Sequence, residues 1–228
     1  MDDATRMRLI GERAAALVPD GATIGLGTGA TADAMIDALG DLVRSGLQVT
    51  GVATSSRTID RANDRGIPLI TLDEAGELAI CIDGADEIDP DLSLVKVRGG
   101  ALLFEKLVAR SANRLVIIGS SEKLVDRLGT RLPLPVEIVP FGASHTTREI
   151  AALGLEPILR TTDDGSPFVS DGGHWIVDCE SDGIDDAAQL AHDLKQITGV
   201  VEHGLFVGMC DLALTVDAEG MIAEHVRR

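Results

Sequence analysis

Short β-type runs recur along this chain at Thr23–Leu26, Val49–Ala53, Ile67–Thr71, Leu78–Ile82 and Leu115–Ile118. Most end abruptly in a polar or glycine-rich turn, and helical patterns fill intervals between them. An antiparallel meander would join its strands by short hairpins, whereas parallel strands need crossovers of helical length. The alternation therefore predicts a parallel sheet covered by helices on both faces. Aromatic residues make up only 2% of the chain, with no Tyr, so the core has to be built from Ala, Val, Leu and Ile. That composition suits α/β layering.

Read in order, Met7, Ile10, Ala14 and Leu17 recur at helical spacing and predict a first helix from about Ala4 to Leu17, ended by Pro19-Asp20-Gly21. Ala34, Met35, Ala38 and Leu39 mark a second helix, and residues 102–112 another. Leu132-Pro133-Leu134-Pro135 changes the texture, because prolines there break helix and read as a boundary. Beyond it come a strand at Val136–Val139, a helix from about Ser144 to Leu153, a strand at Glu156–Arg160, short strands at Phe168–Val169 and Trp175–Val177, a helix from about Asp185 to Ile197 and a strand at Val200–Val207. This β-α-β-β-α-β order is the ferredoxin-like pattern. Leu212–Val216 and Met221–Ala223 are final strands that return to the first sheet. The expected division is 1–128 plus 206–228 for the sheet domain and 129–205 for a small inserted domain.

Three strand ends carry candidate chemistry. Gly27-Thr28-Gly29-Ala30-Thr31 joins a strand to a helix, an arrangement that aims backbone N–H groups at an anion. It lacks the Lys-Ser/Thr of a Walker loop and the spacing of a dinucleotide fingerprint, and alone it reads equally as a tight strand-to-helix turn. Thr54-Ser55-Ser56-Arg57-Thr58 is a hydroxyl cluster of N-cap type that can also meet a polyhydroxyl or phosphate ligand. Leu78–Ile82 runs into Asp83-Gly84-Ala85-Asp86-Glu87, with Asp89 and Asp91 close behind. Carboxylates at the carboxyl end of a strand lie where open α/β sheets bind ligands, and crowding them favours proton transfer. Lys96 follows, then Gly99-Gly100 and Glu105-Lys106. From spacing alone, this stretch reads equally as a solvated acidic loop or as a site. Glu87, Asp89 and Asp91 are read as solvated acids.

Composition narrows the partners. Twenty basic against 37 acidic residues give a net charge of −17, which disfavours nucleic acid and anionic membrane. Scarce aromatics disfavour base stacking too. Cys81, Cys179 and Cys210 have no paired spacing and are read as buried small hydrophobes in a reducing compartment. The five histidines, His145, His174, His192, His203 and His225, have no metal-ligand spacing, so neither metal nor cofactor is expected. The charged start MDDATRMRLI is not a signal peptide, and no run approaches the ~20 apolar residues of a membrane span. A cytoplasmic protein is expected.

Taken together, Gly27 to Thr31, the Thr54-Ser55 cluster, Asp83 to Glu87, Lys96 with Gly99-Gly100-Ala101, Glu105-Lys106, Ser121-Glu122-Lys123, Leu132 to Glu137 and Gly199 to Phe206 resemble, in order, the ribose-5-phosphate isomerases of the A type. The resemblance covers nearly the whole chain. It implies a Rossmann-like α/β/α sheet domain interrupted by a ferredoxin-like domain. It implies metal-free interconversion of ribose 5-phosphate and ribulose 5-phosphate in the non-oxidative pentose phosphate pathway, by a homodimer. By position it places the phosphate-and-sugar loop on Thr28, Gly29, Ala30 and Thr31, paired aspartates on Asp83 and Asp86 with Gly84 and Ala85 between them, a site lysine on Lys96, the carbon base on Glu105 and a substrate-contacting lysine on Lys123. Two departures stand out. Ala30 replaces the usual serine, and Val97 and Arg98 stand where the family has glycines before Gly99. Val97 resists a positive φ, while Arg98 can offer phosphate a charged fork. These departures keep open an isomerase for another short sugar phosphate. A non-catalytic sugar-phosphate sensor is the third reading, although residues 1–20 leave room for only one helix ahead of the first strand.

Overall fold

The computed structural model describes residues 1–96 and 98–227, and at Arg98 the backbone alone. In chain order the elements are α1 (Asp3–Ala15), β1 (Ala22–Leu26), α2 (Ala30–Arg44), β2 (Val49–Ala53), α3 (Ser56–Asp64), α4 (Leu72–Ala75) and β3 (Ile80–Gly84). Then come β4 (Glu87–Ile88), β5 (Leu94–Val95), α5 (Leu102–Arg110), β6 (Leu115–Ser120), β7 (Leu134–Ile138), α6 (Ala143–Ala151) and β8 (Glu156–Leu159). The last are β9 (Trp175–Glu180), α7 (Ala187–Gln196), β10 (Val200–His203), β11 (Leu205–Phe206), β12 (Leu212–Val216) and β13 (Ile222–Val226). Two compact units contain them: Met1–Ala85, Phe104–Lys123 and Met209–Arg228 in the first, Asp86–Leu103 and Leu124–Gly208 in the second.

The first unit is built on a six-stranded sheet of order β13-β12-β6-β3-β1-β2, parallel except for β13 at one edge. Side chains alternate across a strand. Ile24 and Leu26, Ile80 and Ile82, Val116 and Ile118 therefore share one face, packed with Ile10, Ala14, Met35, Ile36 and Leu39 of α1 and α2. Each such buried aliphatic side chain contributes about 1.5–3 kcal/mol. On the other face α5 approaches so closely that a Cβ on Gly25 would lie 2.6 Å from Val108 Cγ1 and 2.8 Å from Cys81 Sγ. The sheet is thus covered on both faces, as the alternation requires. Caps fix the helix starts: Asp2 accepts from Thr5 N–H at 2.8 Å, and Ser55 accepts from Thr58 N–H at 3.1 Å.

Parallel register puts the carboxyl ends of β2, β1, β3 and β6 side by side, with Leu26 opposite both Ala53 and Ile82, and Gly84 opposite Ile118. From β1 the chain steps to β2 on one side and later returns to β3 on the other. The gap between β1 and β3 is therefore the switch point of the sheet.

The second unit holds a four-stranded antiparallel sheet of order β10-β7-β9-β8, the ferredoxin-like arrangement. Ile150, Leu155 and Leu194, from α6, the loop after it and α7, pack with Leu134, Val136, Ile138, Val177 and Cys179. A separate three-stranded sheet of order β11-β5-β4 also belongs to this unit.

Three strand expectations change. The single strand expected at Val200–Val207 is two strands in two sheets, β10 and β11, because Gly204 interrupts it. Ile67–Thr71 reduces to one bridge, Leu69 to Gly51, before the chain turns into α4. Phe168–Val169 reduces to a bridge between Val169 and Trp175. Ile67–Thr71 has β character but pairs only with Gly51, whereas the Phe168 stretch makes only isolated contacts on two sides, Phe168 N–H to Arg160 O at 2.9 Å and the Val169 bridge to Trp175. No helix among the described residues is long and apolar enough to cross a membrane.

Candidate active site

In the first unit the switch point is occupied by Thr28 and Asp83. Asp83 ends β3 with 2% exposure. Its Oδ1 accepts from Thr28 N–H at 3.1 Å and from Gly84 N–H at 2.7 Å. Two N–H donors on one carboxylate oxygen hold the side chain across the ends of β1 and β3. The Thr28 hydroxyl points the other way, into the expected cluster: Oγ1 lies 2.7 Å from Thr54 Oγ1, 2.8 Å from Ser55 Oγ and 2.9 Å from Thr58 Oγ1. Thr54 and Thr58 donate to the carbonyls of Leu26 and Gly27, both at 2.9 Å. The 54–58 segment is therefore both the N-cap of α3 and a brace for the 27–31 turn.

That turn opens α2 as the pattern predicts. Gly29 is the N-cap residue with φ 118°, a conformation L side chains rarely adopt, and no side chain caps the helix there. The first intrahelical bond is Asp33 N–H to Gly29 O at 2.8 Å. The N–H groups of Ala30, Thr31 and Ala32 thus have no intrahelical acceptor, which is the anion-binding condition at a helix start. Ala30 is exposed there. The Thr31 hydroxyl lies 3.6 Å from Met7 Sδ, so its nearest partner is α1. Asp33, in the first turn, is ion-paired with Arg57, which offsets a negative charge beside the turn.

Lys123 closes the short helical turn Ser121–Lys123 after β6. Its stem lies over Gly119, whose Cβ, if present, would be 3.4 Å from Lys123 Cγ. Glu122 in the same turn is drawn below the usual carboxylate range by a hydrogen bond from Ser120 and by Arg6 of α1 at 3.2 Å. Glu105 is in the first turn of α5 and is 3% exposed, followed by Lys106 at 6%. Burial of a carboxylate and an ammonium on adjacent residues is costly unless both are partnered.

In the second unit, Asp86 N–H donates to Val95 O at 2.9 Å, which joins the acidic turn to β5. Lys96 follows β5 with 5% exposure. Its N–H donates to Gly204 O at 3.0 Å, and its ammonium lies 5.7 Å from the centroid of the buried Phe206 ring. Such a desolvated cation–π contact is worth ~2 kcal/mol or more. A Cβ on Gly204 would come 2.5 Å from Lys96 O and 2.8 Å from Pro135 Cδ. Gly204 and Phe206 therefore position Lys96, a role the sequence reading did not assign. The available signal was a glycine in the middle of a strand, which marks close backbone approach. Gly99 has φ 86°. Val97 and the Arg98 side chain lie outside the described residues.

One sequence expectation is overturned. Glu87 is not solvated but fully buried; its Oε2 accepts from Gly129 N–H, and its Oε1 from Arg131 N–H at 2.8 Å and Leu132 N–H at 3.2 Å. It is a brace for the 129–132 loop within the second unit. Asp89 is half-buried, and desolvation raises its pKa even though its Oδ1 accepts from Asp91 and Ser93 N–H. Asp91 alone of the three is exposed. Among the described residues no group of three His, Cys, Asp or Glu side chains is arranged to hold a metal ion.

A buried carboxylate at the switch point of a parallel sheet, next to a glycine turn that opens a helix, marks an α/β enzyme acting at the carboxyl end of its strands. Comparison with known proteins narrows this. The family described as "Ribose 5-phosphate isomerase A (phosphoriboisomerase A)" matches residues 50–220. Ribose-5-phosphate isomerase A of Nitrobacter hamburgensis is 48% identical over 215 residues, 92% of each chain. That of Roseiflexus castenholzii is 48% identical over 224 residues, 97% of this chain and 96% of its own. The solved ribose 5-phosphate isomerase A of Methanocaldococcus jannaschii superposes with a TM-score of 0.94 at 36% identity, over 99% of this chain and 100% of that one. A solved D-ribose-5-phosphate isomerase in complex with phospho-erythronic acid gives 0.95 at 31% identity, over the full length of both. The chain belongs to the ribose 5-phosphate isomerase A family.

Proposed function

We propose that this chain interconverts D-ribose 5-phosphate and D-ribulose 5-phosphate through an enediolate, as a cytoplasmic homodimer serving the non-oxidative pentose phosphate pathway. The observation that carries the reading is the pairing of Asp83 with the Thr28 turn at the switch point, in a chain of this family. A relative's complex with phospho-erythronic acid adds support, since that ligand combines a phosphate with a planar carboxylate of enediolate-like geometry.

The reaction moves one proton between neighbouring carbons and one between neighbouring oxygens. Glu105 takes the proton from C2 and returns it to C1, the work of a positioned carboxylate general base. Lys96 faces the oxygen that turns negative and lowers the cost of the enediolate. Asp83 and Asp86 assist ring opening and pass the hydroxyl proton from one oxygen to the other. The turn of Thr28, Gly29, Ala30 and Thr31 takes the phosphate with Lys123 and Arg98, and Gly84, Ala85, Val97 and Gly99 belong to the substrate-binding set. Holding the phosphate away from the reacting carbons fixes their orientation and reduces the entropic part of the barrier. No metal is used. We also propose that 129–205 is the inserted domain of this architecture and that 1–128 with 206–228 is the catalytic one.

A coupled assay over four- to six-carbon aldose phosphates, with and without EDTA, tests this. The expected result is highest kcat/KM on ribose 5-phosphate, unchanged by EDTA. Preference for another sugar phosphate would favour the alternative that Ala30 and Arg98 suggest, and binding without turnover would favour a sensor. Loss of activity in EDTA, restored by zinc or magnesium, would overturn the metal-free mechanism. Sedimentation at micromolar concentration tests the dimer.

A further inference from the structure

Between Lys96 and Glu105 the backbone makes a sharp turn at Gly99 and Gly100, with φ of 86° and 71°. Two consecutive glycines in this region carry no side chain to restrain them, and glycine loses more backbone freedom on ordering than any other residue. Something else has to hold the turn. Gly100 is buried, and a Cβ on it would lie 2.5 Å from Phe168 Cε1, 2.8 Å from Phe168 Cζ and 3.1 Å from Ile176 Cδ1. The turn thus rests on the edge of the Phe168 ring.

The ring is itself fixed. The Arg160 guanidinium carbon lies 5.6 Å from its centroid. Arg160 is held by a two-point ion pair with Asp178, Nε donating to Oδ2 at 2.8 Å and a terminal N–H donating to Oδ1. A planar guanidinium locked by a carboxylate is a rigid platform for an aromatic ring. The rest of the 167–175 hairpin is anchored to the buried Glu137. Ser170 Oγ donates to Glu137 Oε1 at 2.7 Å, and His174 Nδ1 lies 3.0 Å from the same oxygen. Beyond them a Cβ on Gly172 would lie 3.1 Å from Glu137 Oε1 and 3.4 Å from Leu103 Cδ2. All of these residues belong to the second unit. Phe168 is only half-buried and takes no part in the core of the ferredoxin-like sheet. Its ring lies between Gly100 of the turn and the Arg160 guanidinium.

We propose that Phe168, braced by Arg160, is a positioning residue for the isomerisation: it sets the Gly99–Gly100 turn and so the start of α5, whose first turn carries Glu105. The inference rests on the reading of Glu105 as the carbon base. A base displaced by about 1 Å costs on the order of 10²-fold in rate, so a half-buried ring at this turn has leverage far beyond its contribution to stability.

The test is a double-mutant cycle of Phe168→Ala and Gly100→Ala, read by kcat, KM and solvent-deuterium incorporation into the product. Phe168→Ala is expected to lower kcat by roughly 10- to 100-fold with KM within about threefold. Phe168→Tyr, which keeps the ring, should restore kcat to within about threefold of wild type. In the double variant the clash of the new methyl group with the ring is relieved, while the contact with Ile176 and the strain of φ 71° remain. The loss in that variant should therefore fall short of the product of the single losses. Normal kcat in a folded Phe168→Ala, a loss confined to KM, no rescue by Tyr, or strictly multiplicative losses would each overturn the proposal. Glu105→Gln is run in parallel. If it turned over normally, the base assignment would fall, while the Phe168–Gly100 cycle would still report whether the turn is coupled to turnover.

Discussion

The Asp83 carboxylate fills the space into which a side chain on residue 27 would project: a Cβ on Gly27 would lie 2.1 Å from Asp83 Oδ1 and 2.6 Å from Asp83 Cα. β1 and β3 are adjacent, and their ends converge on one carboxylate. Gly27 is therefore required by the neighbouring strand rather than by its own φ. Gly27→Ala should push Asp83 out of line with Thr28 N–H. Overpacking of this kind costs about 1–3 kcal/mol of stability. The rate penalty should exceed the stability penalty, because Asp83 is displaced directly. Thermal unfolding together with kcat checks this; a variant with normal kcat and a lowered Tm would place Asp83 outside the reaction.

The Thr28 hydroxyl meets three others at 2.7–2.9 Å. Thr28→Val keeps the shape and removes the hydroxyl, leaving buried Thr54, Ser55 and Thr58 to repartner. A buried polar group left unpaired costs about 1–3 kcal/mol. If the 28–31 turn receives the phosphate as proposed, it should loosen, and KM should rise by about tenfold, equivalent to ~1.4 kcal/mol. Steady-state kinetics decide between this and a purely structural role, in which KM would stay put.

Glu87 binds three backbone N–H groups from a loop more than forty residues downstream, Gly129 being 42 residues away. Glu87→Gln replaces a charged acceptor with an amide, one end of which faces N–H donors. The expected loss is about 1.5–3 kcal/mol. Asp91→Asn, at an exposed position, should be neutral. Urea unfolding of the two variants tests the contrast.

Burial pushes the thiols of Cys179 and Cys210 up to about 12, from an ordinary 9.0, with the neighbouring Asp178 and Asp211 adding to the effect. A raised folded pKa means that the thiols stay protonated in the native state while the unfolded chain ionises. The contribution to stability is complete below pH 9.0 and is lost as pH rises from there toward about 12. Native protein at pH 8.5 should resist iodoacetamide at both residues, and unfolded protein should not. Mass spectrometry reads the outcome; rapid alkylation in the native state would contradict the burial.

How much of this was legible beforehand depended on range. The β1 turn and α2 could be read because strand, glycines and helix are contiguous, and local propensities act over a few residues. The cluster at 54–58 was legible for the same reason, as an N-cap that has a second use. Glu87 was not, because its burial is decided by a loop whose position depends on tertiary packing. Spacing made it one of five acids in a row. Gly204 carried a usable signal as a mid-strand glycine, but Val200-Val201 before it and Leu205-Phe206-Val207 after it read as one strand and hid the switch from one sheet to another. Ile67–Thr71 failed as a strand for a related reason: β propensity does not supply a pairing partner.

Glu105 is the assignment on which the chemistry turns. It is buried in the first turn of α5, directly after the Gly99–Gly100 turn and on the same helix as Val108, which packs over Gly25 of β1. Glu105→Gln preserves volume and hydrogen-bonding reach but cannot accept a carbon-bound proton. A general base of this kind is worth about 10²–10⁴-fold. The loss should fall on kcat while KM changes little, since the 28–31 turn proposed to hold the phosphate is untouched. Isotope exchange gives the sharper readout. In heavy water the wild-type enzyme should place solvent deuterium at C1 of the ketose, and Glu105→Gln should not, although it still binds the sugar phosphate. Near-normal turnover and exchange in that variant would move the search for the base to Asp83 or Asp86.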